Sequence, residues 1–193
     1  MFCPNAVEWD GVGTWVASIG TVSTLFFAVY QWSKAVAEKR LANEDARRAQ
    51  ARRVCTWLDA HSGHGGLRLS NSSDEPVTSV IVYYVWAQGA AWRTGEEAER
   101  RFQSSREPDG YGDINTIRAL VQNLPPGRFW VTVDGPENAP MQGQLGLEIA
   151  FTDSAGQSWV RRAGGELVAL DQSPIVHYGV ALPARYQRLL DWD

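Results

Sequence analysis

Three histidines, two cysteines and a spread of serines and acids are the groups in this 193-residue chain with chemistry to offer. His61-Ser-Gly-His64 sets two imidazoles three residues apart, a spacing that suits zinc. A zinc site takes three or four ligands, however. His177 is the one further histidine, and neither cysteines nor carboxylates cluster at ligand spacing. No metal is expected, and the glycines around His64 read as a helix stop and linker. Asp109-Gly-Tyr-Gly-Asp113 offers oxygen donors but lacks the ligand count of a calcium loop, so it reads as a turn. The chain carries no Walker loop, nucleophile elbow or zinc-protease helix. A hydrolase assembled in space from Ser, His and Asp is the enzymatic alternative, because triads are defined by geometry and not by spacing. Histidines in linker and tail positions make poor oriented bases. No catalytic, cofactor-binding or metal residue is therefore assigned, and a non-enzyme without a cofactor is expected.

What positions these residues begins with a membrane anchor. Gly11 to Ser33 contain no charged side chain, and an apolar helix of about 20 residues matches a hydrocarbon core of about 30 Å. Trp9 and Trp15 mark one rim and Tyr30 and Trp32 the other, as amphipathic rings do at headgroup level. Glu8 and Asp10 precede the span; Lys34, Lys39, Arg40, Arg47, Arg48, Arg52 and Arg53 come after it. Lys/Arg excess marks the cytoplasmic side, which puts the amino terminus outside and the bulk of the chain in the cytoplasm at the cell membrane. Ala35-Val36-Ala37 resembles a signal-peptidase site, but the acidic start and long apolar core do not fit a secretory signal. Gly13, Ala17, Gly20, Thr24 and Ala28 share one face of the span, opposite Trp15, Ile19, Val22, Phe26 and Val29. Small residues on one face let helices approach closely in lipid. A homo-oligomer through this stripe is expected as one option, up to a self-associating or pore-forming effector.

On this topology Cys3 and Cys55 lie on opposite sides of the membrane and do not pair, and Cys55 reads as a small packing residue in a reducing cytosol. Residues 34–60 form a basic helical stalk, rich in Ala, Glu, Arg and Gln. Its apolar positions do not sustain a coiled-coil seam, and Lys34, Lys39 and Arg40 sit where they meet anionic headgroups. Val54, Trp57 and Leu58 share the face that docks the helix on the carboxy-terminal domain. From Val54 onward 11 arginines face 17 acids, a net charge of −6, which excludes a general nucleic-acid module.

Beyond a linker at 61–66, residues 67–172 alternate short β runs with turns. Val77–Trp86 is apolar on both faces, the mark of a strand covered on both sides. Ile117–Val121, Phe129–Val133, Ser158–Arg161 and Glu166–Leu170 are further strands, and Leu145, Leu147, Ile149 and Phe151 alternate with Gly146, Glu148 and Ala150. About seven such strands predict an antiparallel immunoglobulin-like β-sandwich, mainly β after an amino-terminal α segment. Its expected core includes Val80, Val82, Tyr84, Trp130, Leu147, Ile149, Phe151 and Trp159. Residues 173–193 read as a carboxy-terminal tail.

Phe151-Thr-Asp-Ser-Ala-Gly-Gln-Ser-Trp-Val-Arg-Arg162, with Gly165-Glu-Leu167 behind it and Asn71-Ser-Ser-Asp-Glu-Pro-Val77 ahead, resembles a loose group of uncharacterised actinobacterial single-pass membrane proteins. The resemblance implies an amino-terminal membrane helix and, after it, a small β-sandwich, and no activity.

Residues 87–113 form an insertion of mixed sign, expected as a short solvated helix within loop. Long loops on a rigid β scaffold commonly carry recognition, so Glu96, Glu97, Arg100, Arg101 and Arg106 are the candidate partner surface. The expectation is a membrane-anchored cytosolic interaction module, an adaptor or assembly subunit, touching membrane lipid and a protein partner but no nucleic acid.

Overall fold

The computed structural model describes residues 27, 29–36, 38–39, 45, 48–58, 66–89, 91–104, 113–136 and 143–191. They divide between two compact units, 1–46 and 47–193. In the first, the described residues are helical and exposed. Ser33 Oγ donates back to the Tyr30 carbonyl at 2.8 Å, and Lys34 Nζ lies 6.0 Å from the Tyr30 ring centre. Lys34 and Lys39 are exposed. No helix among the described residues is long and apolar enough to cross a membrane. Most of the expected span, its stripe Gly13, Ala17, Gly20, Thr24 and Ala28, and Arg40 lie outside the described residues.

The second unit is mainly β, in two antiparallel sheets. Sheet A has the order β1 (Val54–Leu58), β2 (Gly66–Asn71), β5 (Gly127–Thr132), β9 (Leu190–Asp191); sheet B has β4 (Arg118–Leu124), β3 (Val77–Gln88), β6 (Gln144–Thr152), β7 (Ser158–Arg161), β8 (Leu167–Leu170). Among its described residues, helical residues 48–52 lead into β1, and further helices are α1 (Gly95–Ser104) and the single turns α2 (Ile114–Ile117) and α3 (Pro174–His177).

Alternation decides which side chains meet. Val54, Leu67, Leu69 and Val131 face inward from sheet A toward Val80, Val82, Tyr84, Ile149 and Phe151 of sheet B, all buried. Of the eight expected core residues, Trp130 is only half-buried. In β5 it is Val131 that points inward, opposite Leu67; Trp130 stands opposite Arg68, which is itself opposite Trp57, on the outer face of sheet A. Phe129-Trp-Val is apolar in every position, so its phase was not set by the sequence pattern alone.

The expected hairpin at Asp153–Gln157 forms with Gly156 at φ +82°, left-handed backbone that favours glycine. Asp153 Oδ1 accepts the Ala155 and Gln157 amides, and its Oδ2 accepts the Trp159 indole at 2.8 Å. Asn71 Nδ2 joins the sheets by donating to the Leu124 carbonyl at 3.1 Å.

Three boundaries differ from expectation. The stalk does not run as helix to residue 60: helix ends at Arg52, and Val54–Leu58 is the edge strand β1. Three of its five residues are Val, Cys and Thr, weak helix formers that pair well with β2. Arg161 reinforces this turn, its Nε donating to Val54 O at 3.1 Å and its Nη2 to Ala51 O at 3.1 Å and Arg52 O at 3.2 Å. Residues 173–191 are no loose tail but part of the fold. They form α3, then cover the free edge of β4, where Gln187 N–H donates to Leu120 O at 2.7 Å and Gln187 Oε1 accepts the Leu120 N–H, and end as β9 on sheet A. The insertion does contain a helix, but a docked one, with Ala98 and Glu99 buried.

Candidate functional site

The charged groups that the fold brings together lie on the outer face of sheet B. Register places Glu148 of β6 opposite Tyr83 of β3, and Tyr83 opposite Arg118 of β4. Gly146 and Ala150 flank Glu148 on that face, too small to shield it, so other elements lie over it. Trp92 delivers the first of these: its carbonyl accepts the Trp86 N–H at 2.9 Å and its indole donates to Tyr84 O at 2.8 Å, turning the chain across β3. The helix α1 then starts at a local cap. Thr94 Oγ1 accepts the Glu97 N–H at 3.3 Å while Glu97 Oε2 accepts the Arg93 N–H at 2.7 Å, a reciprocal arrangement close to a capping box.

Glu148 is fully buried. Its Oε1 accepts the Gly95 N–H at the start of α1 at 2.9 Å and the Tyr178 hydroxyl at 2.8 Å. A carboxylate there is favoured by the positive end of the helix dipole. Its Oε2 accepts Arg162 Nη1 at 2.8 Å. The same guanidinium grips Glu96 with two bonds of 2.8 Å, and Glu96 Oε1 also meets His177 Nε2 at 2.7 Å. Alongside, buried Glu99 accepts the Tyr83 hydroxyl at 2.7 Å and pairs with Arg118 Nη1. Arg118 Nη2 in turn donates to Asn115 Oδ1 at 2.9 Å.

The environment sets each titration. Burial pushes the Glu148 carboxyl above the usual range, against Arg162 and the Gly95 and Tyr178 donors. For Glu96 burial acts in the same upward sense, but hydrogen bonds from Arg162 and His177 outweigh it and hold the group at about 2. Burial, then the neighbouring glutamates, drive Tyr83 and Tyr178 well above the ordinary phenol value, so both hydroxyls remain donors. Hydrogen bonds to Glu96 raise Arg162, keeping it a permanent cation.

Of the expected partner surface, Glu96 is drawn into this cluster, Glu97, Arg100 and Arg101 stay on the exposed side of α1, and Arg106 lies outside the described residues. His61 and His64 lie outside them as well. Cys55 is half-buried in β1, and no group of three metal-binding side chains occurs among the described residues. Sequence reading missed Glu148, Arg162, Tyr178 and Glu99 as a unit. Two signals were present: Thr94-Gly-Glu-Glu97 before an amphipathic run, and one acid flanked by Gly and Ala in an otherwise apolar strand.

The chemistry of the arrangement is that of a fastener. Both oxygens of Glu96 and Glu148, and Oε1 of Glu99, are taken up by donors from other elements, so α1, β3, β4, β6, α3 and the β7–β8 turn are held in one relation. The net stability of such buried pairs is small, whereas removing one partner is costly, which makes them devices for holding a unique geometry. A cleft of about 300 Å³ opens beside it, between Trp57 and Leu58 of β1, Leu145 of β6, and Arg161 to Ala163. Comparison with protein-family models, curated proteins and solved structures finds no match to this chain.

Proposed function

We propose that the chain is a membrane-anchored interaction module whose cytosolic sandwich presents α1 to a protein partner as an adaptor or assembly subunit. The observation that carries this reading is the mounting of α1. Its inner side is fastened through Glu96 and Glu99, and its outer side lines up Glu97, Arg100, Arg101 and Ser104 at helical spacing around a shallow depression. A charged face held rigid before binding loses little entropy when a partner arrives. His177, the one histidine among the described residues, is engaged with a carboxylate already gripped by Arg162, which favours a structural role for this imidazole.

The immunoglobulin-like description is supported by strand order. Alongside hairpins of consecutive strands, β2 pairs with β5 in one sheet and β3 with β6 in the other, so each sheet is closed by a pairing of non-consecutive strands as in that class of sandwich. The anchor is supported by Phe27, Val29, Tyr30 and Trp32, helical residues whose large apolar side chains stand exposed, as at the rim of a span. The resemblance to actinobacterial anchored sandwiches points the same way.

Proximity labelling from the carboxyl terminus of the full chain tests the reading. Cytosolic protein neighbours are expected, and their recovery should fall when Arg100 and Arg101 are both changed to Glu. Recovery of extracytoplasmic neighbours alone overturns the topology, and labelling unaffected by the charge reversal overturns α1 as the partner face.

A further inference from the structure

The buried cluster does not balance its charge. Three carboxylates, Glu96, Glu99 and Glu148, face two guanidinium groups, Arg162 and Arg118. Carboxylates counted against guanidinium groups leave one negative charge over between α1 and sheet B. Around it lie groups that are neutral, acidic or exposed. Tyr83 from β3 and Tyr178 from α3 are neutral donors. Asp113, beyond Asn115, adds a further acid. On the outer side of α1, Glu97 is exposed, and Arg100 donates through Nε to Glu96 O at 3.2 Å but is exposed and screened by water. Glu166, next in the turn after Arg162, is exposed. An uncompensated buried charge is costly, and a titratable cluster relieves it by taking up a proton.

We propose that the junction between α1 and sheet B binds one proton beyond what its separate groups hold in the open chain, so that docking of α1 is linked to proton uptake and loosens as pH rises. The proton belongs to the cluster as a unit. Geometry puts the Glu148 carboxyl at its centre, fully buried and bonded to Arg162, the Gly95 amide and the Tyr178 hydroxyl. The upward shift of Glu148 has the matching sign. A carboxyl raised in the folded state contributes stability that is complete below its unfolded value and is lost as pH climbs through the folded one. Glu96 acts in the opposite sense, but only below about pH 4.5. The linkage concerns docking alone. Its consequence for partner binding rests on the interaction-module reading, and the two fail separately.

Hydrogen exchange of the α1 amides in the full chain in detergent micelles, expressed as protection factors from about pH 4.5 to 8, reads docking directly. Protection in the parent should fall with rising pH, by up to about tenfold per pH unit at the steepest point for one proton. His177→Lys supplies the missing positive charge at every pH and should flatten the profile while α1 stays protected. Glu148→Gln removes the surplus negative charge and should flatten it too. Tyr178→Phe leaves the charge count unchanged and should keep the slope. A flat profile in the parent overturns the proposal, and so does a slope that survives in His177→Lys, the variant that keeps every carboxylate in place.

Discussion

Tyr83 of β3 and Tyr178 next to α3 pack with ring centres 4.8 Å apart and planes tilted by 49°. Each hydroxyl donates to a different buried glutamate, Tyr83 to Glu99 and Tyr178 to Glu148. The two rings thus join the halves of the ionic cluster, and the first residue of α1 sits against both.

Gly95 is that residue, and a Cβ there would lie 2.6 Å from the Tyr83 ring and 2.7 Å from the Tyr178 ring. Gly95→Ala should destabilise the chain by about 1–3 kcal/mol, the usual cost of overpacking. Gly164→Ala, where a Cβ meets nothing within 4 Å, is the control and should stay within about 0.5 kcal/mol of the parent. Chemical denaturation of both variants measures the difference.

Ile149 is fully buried in β6, facing sheet A. Ile149→Ala should cost about 2–5 kcal/mol through lost burial and a residual cavity. An unchanged denaturation midpoint would falsify the assignment of the inner face.

Arg161 holds the helix-to-strand switch through carbonyls of Ala51, Arg52 and Val54. Arg161→Leu removes these charge-assisted bonds, each worth about 1.5–3 kcal/mol when buried and less where partly exposed. The expected outcome is faster hydrogen exchange across residues 51–56, with the amides of β6 unaffected.

The acid arm of stability should trace to Glu96. Held at about 2 in the folded chain, it contributes stability present above its ordinary value and lost as pH falls from about 4.5 to 2. Glu96→Gln should make denaturation midpoints flatter across that interval. Midpoints that drop as steeply as in the parent would assign the acid sensitivity to other carboxylates.

The anchor prediction rests on the stripe of small residues. For the proposed anchor, in a reporter of transmembrane association Gly20→Ile should weaken the signal strongly and Val22→Ile should not, because a stripe of small residues is what close helix packing in lipid requires. Equal signals from both variants and the parent would make the proposed span a passive tether.

Local pattern was enough to determine the β character, the turn at Asp153–Gln157, the two-faced burial of β3 and the inward row Leu147, Ile149, Phe151. Each of these is written in neighbouring residues, as alternation, turn formers or unbroken apolar runs. Tertiary structure decided the rest. The phase of Phe129-Trp-Val was set by pairing with β2, and the fate of Val54–Leu58 by an edge of sheet A and a guanidinium more than 100 residues away. Glu148, Arg162, Glu96 and His177 give no local sign of one another, because the cluster is made by four elements meeting over the small residues beside Glu148. A buried charge is tolerated only where partners from elsewhere arrive to satisfy it, and that arrival is a property of the folded chain.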